Sequence, residues 1–338
     1  MNARQFSLCF PFAMGGPDVT ASFRENPEDF QVVETLDFEF SGEGEHQCFY
    51  IEKTGQNTRW VAGLLAEALG VEEAAVGYCG LKDRRAITRQ WFSVHMPGGR
   101  DLTVPQLPSL EGCEILKMAR HHKKLRRGNH AGNHFRIRLR QVDGERQLLV
   151  SRLAAIAAEG VPNYFGEQRF GREAGNLYEA EKLMYQRSAD RSQRRKKTRK
   201  GVGKGGLYLS AARSYLFNLV LAERIAQHNW NTCLGDEVMP TGPLWGRGRT
   251  QVPEQVRELE LRILSDWQDW CHGLEFSGLS QERRQLVLHP QNFEWDWQTS
   301  EHEECVDLEL SFFLPPGCFA TSVLREVANL QQSWAVAE

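Results

Sequence analysis

Gly77-Tyr-Cys-Gly-Leu-Lys-Asp83-Arg-Arg-Ala-Ile-Thr-Arg-Gln-Trp-Phe-Ser-Val94 sets a single carboxylate between two apolar runs. The first run (Ala74, Ala75, Val76, Tyr78) stops at a glycine and a Lys-Asp pair. The second (Trp91, Phe92, Val94) follows within ten residues. This is the pattern of a buried strand with Asp83 at its mouth. Cations stand on both sides, at Lys82, Arg84 and Arg85, and their attraction favours an ionised carboxylate. A positioned carboxylate of this kind can act as a covalent nucleophile at a sugar carbon. It can equally be a turn residue in a solvated charge cluster.

Working outward, residues 47–53 read as a strand with a buried Phe49–Ile51 segment. Asn57 and Thr58 supply helix-start chemistry for Trp60 to Leu69, and Gly70 fits the position just past the helix end. Phe135-Arg-Ile-Arg-Leu-Arg140 alternates apolar and cationic residues, the period of a half-buried strand. Leu148 to Gly160 reads as a helix broken by Val161-Pro162-Asn163. From about 175 to 303 the pattern is helix-rich and poor in alternation, with helices expected over Tyr178–Gln186, Ser210–Asn229 and Gln255–Cys271. Val306 to Phe313 returns to strand-like alternation, and Ala320 to Leu330 reads as a closing helix. Strands and helices at both ends around a different middle suggest an inserted domain.

The chain has 338 residues, which suggests roughly two domains. Its apolar share of 41% and charged share of 25% are ordinary for a soluble globular protein, and its length can bury a sizeable core without metal or disulfides. Eight scattered cysteines form no Cys-x-x-Cys pair, which points to a reducing, cytoplasmic setting. The short apolar piece from Phe6 to Met14 is interrupted by Pro11 and reads as no signal peptide. No apolar run approaches a membrane span, so no membrane partner is expected.

The formal net charge is −3, yet the cations are concentrated. One tract, Ile115 to Val142, lacks acidic residues and carries Lys117, Arg120, Lys123, Lys124, Arg126 and Arg127. A second, Arg187 to Lys204, centres on Arg194, Arg195, Lys196 and Lys197. A charge run can be a solvated face, but two such tracts in a net-acidic chain are the footprint of a phosphate backbone. Gly201-Val-Gly-Lys-Gly-Gly206 follows cations rather than a strand and lacks P-loop spacing, so no nucleotide cofactor is expected. His130 and His134 lie among glycines that argue against a shared helix face, so no metal site is expected either. Phe30, Phe135 and Phe319 each follow a turn-like segment, where a ring can pack in the core or stack on an extruded base.

The chain as a whole resembles the TruD family of tRNA pseudouridine synthases. The resemblance rests on motifs in family order: Asn26-Pro-Glu-Asp-Phe30, Gly42-Glu-Gly-Glu-His46, Asn57-Thr-Arg59, Gly80-Leu-Lys-Asp83 with Thr88-Arg-Gln-Trp91, and Lys124-Leu-Arg126. Gly132-Asn-His-Phe135, Pro162-Asn-Tyr-Phe-Gly-Glu-Gln-Arg-Phe-Gly171, Leu207-Tyr-Leu-Ser-Ala-Ala-Arg213 and Leu314 to Glu326 continue the series. The resemblance implies an α+β fold: a pseudouridine-synthase-like mixed, mainly antiparallel sheet with flanking helices, interrupted by a second, helix-rich inserted domain. The expected division is 1–158 plus 304–338 for the catalytic domain and 159–303 for the insertion.

The implied activity is isomerisation of uridine 13 of tRNA, with Asp83 as nucleophile and no cofactor. Phe30, Phe135, Phe319 and Asn133 match positions that line the family's uridine pocket, with Phe135 where other pseudouridine synthases have a Tyr. Arg24 stands where the family has a basic residue, usually Lys, paired with the catalytic carboxylate; Lys82 is the other cation candidate. Lys123, Lys124, Arg126 and Arg127, with the 194–197 cluster, are expected to hold tRNA, and a monomer is expected. Two alternatives stay open. A non-catalytic RNA-binding protein or RNA chaperone also fits the basic tracts. A carboxylate-dependent glycosidase would need a second placed carboxylate, for which Asp83 has no evident partner.

Overall fold

The computed structural model describes residues 4–98, 110–189, 204–299 and 306–331. These fall into two compact units. A sheet unit comprises Asp18–Leu153, Pro290–Ala320 and Val327–Glu338; a helical unit comprises Met1–Pro17, Ala154–His289 and Thr321–Glu326.

The sheet unit contains β1 (Thr20–Phe23), β2 (Phe30–Thr35), β3 (His46–Thr54), α1 (Thr58–Ala68), β4 (Val76–Tyr78), β5 (Ile87–His95), β6 (Cys113–His121) and β7 (Gly132–Asp143). After β7, α2 (Arg146–Glu159) runs across the boundary between units. The helical unit follows with β8 (Val161–Pro162), α3 (Gly175–Ala189), α4 (Lys204–Ala226), β9 (Thr241–Leu244), α5 (Glu254–Ile263), α6 (Gln268–Glu275), β10 (Glu282–Gln285) and β11 (Val287–Leu288). The chain then returns through β12 (Gln291–Thr299), β13 (Val306–Leu314), α7 (Ala320–Val327) and β14 (Asn329–Gln331).

The large sheet has the order β12-β13-β7-β2-β5-β3-β6, with β4 beside β5 and β1 joining β7 to β14. Its pairs are antiparallel except β2 with β5 and β1 with β14. Alternation sets its faces. On β3, Phe49, Ile51 and Lys53 are buried at every second position; on β2, Phe30, Val32 and Glu34 are. Phe49 and Ile51 join Val61 and Leu65 of α1 and Phe92 and Val94 of β5 in one apolar cluster. Asn57 caps α1 by accepting the Trp60 N–H at 2.9 Å.

In the helical unit, Phe170, Leu177, Leu216, Phe217, Leu221 and Trp270 form the centre of a second core. Asn218 on α4 holds the segment after β8: its side chain accepts from Phe165 N–H (3.0 Å) and donates to the Phe165 carbonyl (2.9 Å). Among the described residues no helix is long and apolar enough to cross a membrane.

β12 pairs with β13 in the large sheet, and residues from Pro290 to Ala320 belong to the sheet unit, while those up to Pro17 and Thr321–Glu326 belong to the helical unit. Two elements depart from the sequence expectation. The helix expected over Gln255–Cys271 is two, α5 and α6, separated by a 3-10 turn at Ser265–Trp267. The closing helix stops at Val327, and Asn329–Gln331 pairs in parallel with β1.

Candidate active site

Hairpin β4–β5 presents the loop 79–86. Gly77 permits a close approach at its base, since a Cβ there would overlap the Leu125 carbonyl. Asp83 is about half exposed at the loop tip, and its carboxylate meets the Arg24 guanidinium at 3.3 Å. Arg24 is itself largely buried; that burial lowers its pKa, partly offset by the Asp83 charge. A guanidinium stays charged in proteins regardless. Its guanidinium is held 3.8 Å above the Phe30 ring, and its backbone is left-handed, at φ +60°, a conformation costly for a non-glycine residue that the surrounding fold must impose.

The residue before the aspartate is anchored separately. Lys82 Nζ pairs with Glu34 Oε2 at 2.7 Å, both side chains nearly inaccessible. Glu34 Oε1 also accepts the Trp91 N–H. Lys82 is therefore Glu34's partner, while Arg24 is the one in contact with Asp83. The neighbours Lys82 and Asp83 are thus tied to one face of β2, at Glu34 directly and at Phe30 through Arg24. The Lys82 N–H donates to Thr58 Oγ1, which donates to Gln90 Oε1, and Gln90 Nε2 donates to the Gly80 carbonyl.

A third anchor comes from β3. Lys53 is 1% exposed and donates to the Asp83 carbonyl at 2.7 Å and the Gln56 carbonyl at 2.6 Å. Burial pushes its pKa down to about 8, with the Asp83 charge opposing the shift. The folded chain therefore releases this proton near pH 8, while the unfolded chain keeps it to the ordinary lysine value. The unfolded state binds more protons in that window, so the Lys53 contribution to stability rises with pH there. The charge-assisted hold on the Asp83 carbonyl weakens over the same range. The expected result is turnover that falls above about pH 8 while stability does not. In Lys53→Met that alkaline limb should vanish from the rate profile; an unchanged limb would assign it to another group.

The other predicted residues divide. Phe30 is 1% exposed and Phe135 7%, and they meet edge-to-face at 6.0 Å. Phe135 also stacks on Phe312 at 5.5 Å. Both rings are largely packed, and Phe30 lies beneath Arg24. Asn133 pairs with Glu34 across β7 and β2, and its Oδ1 is buried without a hydrogen-bond donor among the described residues, an unsatisfied acceptor of the kind that calls for a strain or functional explanation. Phe319 is 36% exposed, just before α7. Lys123, Arg126 and Arg127 are exposed on the β6–β7 loop, while Lys124 donates to the Ala74 carbonyl. The cluster at 194–197 lies outside the described residues.

Packing of Phe135 predicts the outcome of truncation. Phe135→Ala should cost about 3–5 kcal/mol of folding free energy, the range for a buried Phe. Denaturant unfolding measures it. A loss under about 1 kcal/mol with turnover strongly reduced would instead make the ring a wall for the substrate base.

Known proteins carry the same architecture. Residues 9–195 and 231–327 match the family described as tRNA pseudouridine synthase D (TruD). The tRNA pseudouridine synthase D of Cellvibrio japonicus is 47% identical over 330 residues, covering 96% of this chain and 94% of that protein. That of Aeromonas hydrophila is 44% identical, covering 94% of each. A solved structure from Methanosarcina mazei shares the fold with a TM-score of 0.70 over 94% of this chain and 95% of that one, at 20% identity. Fold and sequence together define a pseudouridine synthase, an isomerase. The chain belongs to the tRNA pseudouridine synthase D (TruD) family.

Proposed function

We propose that this chain converts a uridine of tRNA to pseudouridine and that Asp83 is the carboxylate that begins the reaction. The observation that supports this role is a half-exposed carboxylate whose loop is anchored through Arg24, Lys53 and the Lys82–Glu34 pair. Such anchoring pre-organises a reacting group.

The reaction breaks the bond from ribose C1′ to base N1, turns the base, and joins C1′ to C5. The hydrogen on C5 leaves to solvent and N1 gains one, so the product is an isomer and no redox partner is consumed. Asp83 acts by attack at C1′, by attack at C6, or by assisting a glycal intermediate; each route releases the C5 hydrogen. The uridine must leave its stack to reach the carboxylate. Asn133 would accept from the imino group of the base through an Oδ1 that must first be uncovered, and Phe319 offers a partly exposed ring. Lys123, Lys124, Arg126 and Arg127, with Arg194, Arg195, Lys196 and Lys197, would hold phosphates.

Uridine 13 is the proposed target, resting on the motif series, and the proposed setting is a cytoplasmic monomer. Mapping pseudouridine in total tRNA from cells lacking the protein tests the target. The modification at position 13 should disappear and return with the wild-type gene but not with Asp83→Asn. Its persistence without the protein would overturn the assignment.

A further inference from the structure

The sheet unit contains a cavity of about 360 Å³, lined in part by Phe38, Glu39, His121, His122, Lys123 and Asn129. Lys124 and Leu125 complete the lining, the latter packed against Gly77 at the base of the Asp83 loop, while Asp83, Arg24, Lys53 and Glu34 stand outside it. Aromatic rings run along it. Phe38 stacks on His121 (5.2 Å between centroids, 17° between planes), and His122 lies 4.5 Å from His121. Phe40 meets His121 edge-on at 5.5 Å and continues the run to Trp91 at 4.3 Å.

The platform is fixed at His121. His121 is 7% exposed, and its Nδ1 accepts the Ser41 N–H at 3.2 Å. Burial, His122 and Lys123 all lower its pKa. Phe38 is half-buried, while His122 and Lys123 are exposed. A core would enclose such rings. Here Phe38 is half-open and His122 exposed, beside an exposed ammonium, the combination that binds an unpaired nucleotide by stacking and by its phosphate. Glu39, exposed in the same lining, repels a phosphate and accepts from amino or imino groups, so it distinguishes the base side of a bound nucleotide from the phosphate side.

The cavity is also joined to the reacting loop. The Gly128 N–H donates to the Cys79 carbonyl (2.9 Å) and Cys79 Sγ to the Asn129 carbonyl (3.1 Å). The β6–β7 loop that lines the cavity therefore rests on the start of the loop bearing Asp83.

We infer that this cavity holds a second, unpaired nucleobase of the tRNA, distinct from the reacting uridine, with its phosphate on Lys123. The inference rests on the reading of the chain as a tRNA pseudouridine synthase. It positions the tRNA rather than performing chemistry. Phe38→Ala and His122→Ala should each raise KM for tRNA about tenfold (1.4 kcal/mol), with kcat within about twofold. A second readout needs no turnover: the full-length wild-type chain should bind a uridine-free single-stranded pentanucleotide, and both variants should bind it at least about fivefold more weakly. His122 is exposed, so its variant keeps the test alive if Phe38→Ala fails to fold. Unchanged KM and unchanged oligonucleotide affinity in folded His122→Ala would overturn the inference. Absence of wild-type turnover would count against the proposed function, and the oligonucleotide arm would still decide the cavity.

Discussion

Asp83→Asn is expected to reduce turnover at least about a thousandfold, about 4 kcal/mol of transition-state stabilisation, while tRNA affinity stays within about tenfold. The amide is nearly isosteric with the carboxylate and keeps an oxygen toward Arg24, but it carries no negative charge to attack carbon. Arg24 keeps its place, because its stacking on Phe30 does not depend on Asp83. The Asp83 side chain is 46% exposed and that of Arg24 11%, so loss of the counter-charge should cost about 1–2 kcal/mol of stability, between an exposed and a fully buried pair. Single-turnover rates and tRNA binding on one folded preparation separate chemistry from docking. Retained turnover would remove Asp83 from the reaction.

Glu34→Gln is expected to cost about as much stability as truncating Phe135. The Lys82 and Glu34 side chains are 4% and 0% exposed, so the ammonium would be left in a dry site without a counter-charge. Breaking such a pair from one side costs about 3–5 kcal/mol. The glutamine retains an oxygen for the Trp91 N–H, so the loss reports the charge rather than that hydrogen bond. Replacing both partners, Glu34→Leu with Lys82→Met, should recover much of the stability, because two apolar side chains leave no buried charge. Turnover should not recover with it, since the direct tie from Lys82 to β2 is gone and only the Arg24 contact remains. Urea unfolding and rate measurements on the single and double variants check this. A single variant as stable as wild type would mean that Lys82 turns to solvent and that the pair does not hold the loop.

The strands around Asp83 were legible because their alternation is local. Phe135 to Arg140 lies in β7, residues 47–53 lie in β3, and the turn between the two apolar runs is the 79–86 loop. Two anchors were legible in principle and were missed. Lys53 continues the buried positions Phe49 and Ile51, and Glu34 continues Phe30 and Val32. A charge on the apolar phase of a strand is the signal of a paired or functional group. Phe293, Trp295 and Trp297 likewise alternate with Glu294 and Asp296, yet β12 was absorbed into a region read as helical. Other features had no local signal. Asn329–Gln331 becomes a strand only through pairing with β1, about three hundred residues earlier. That Arg24 rather than Lys82 meets Asp83 depends on which side chain the fold turns toward Glu34, a matter of tertiary packing.

Isomerisation of uridine in tRNA through Asp83 is tested most directly by tritium release from tRNA labelled at C5 of uridine, incubated with purified wild type and with Asp83→Asn. The predicted result is release by wild type that plateaus near one tritium per substrate tRNA, and release at background for the variant. Binding of the labelled tRNA by wild type without any tritium release would contradict the claim and leave a non-catalytic RNA-binding protein.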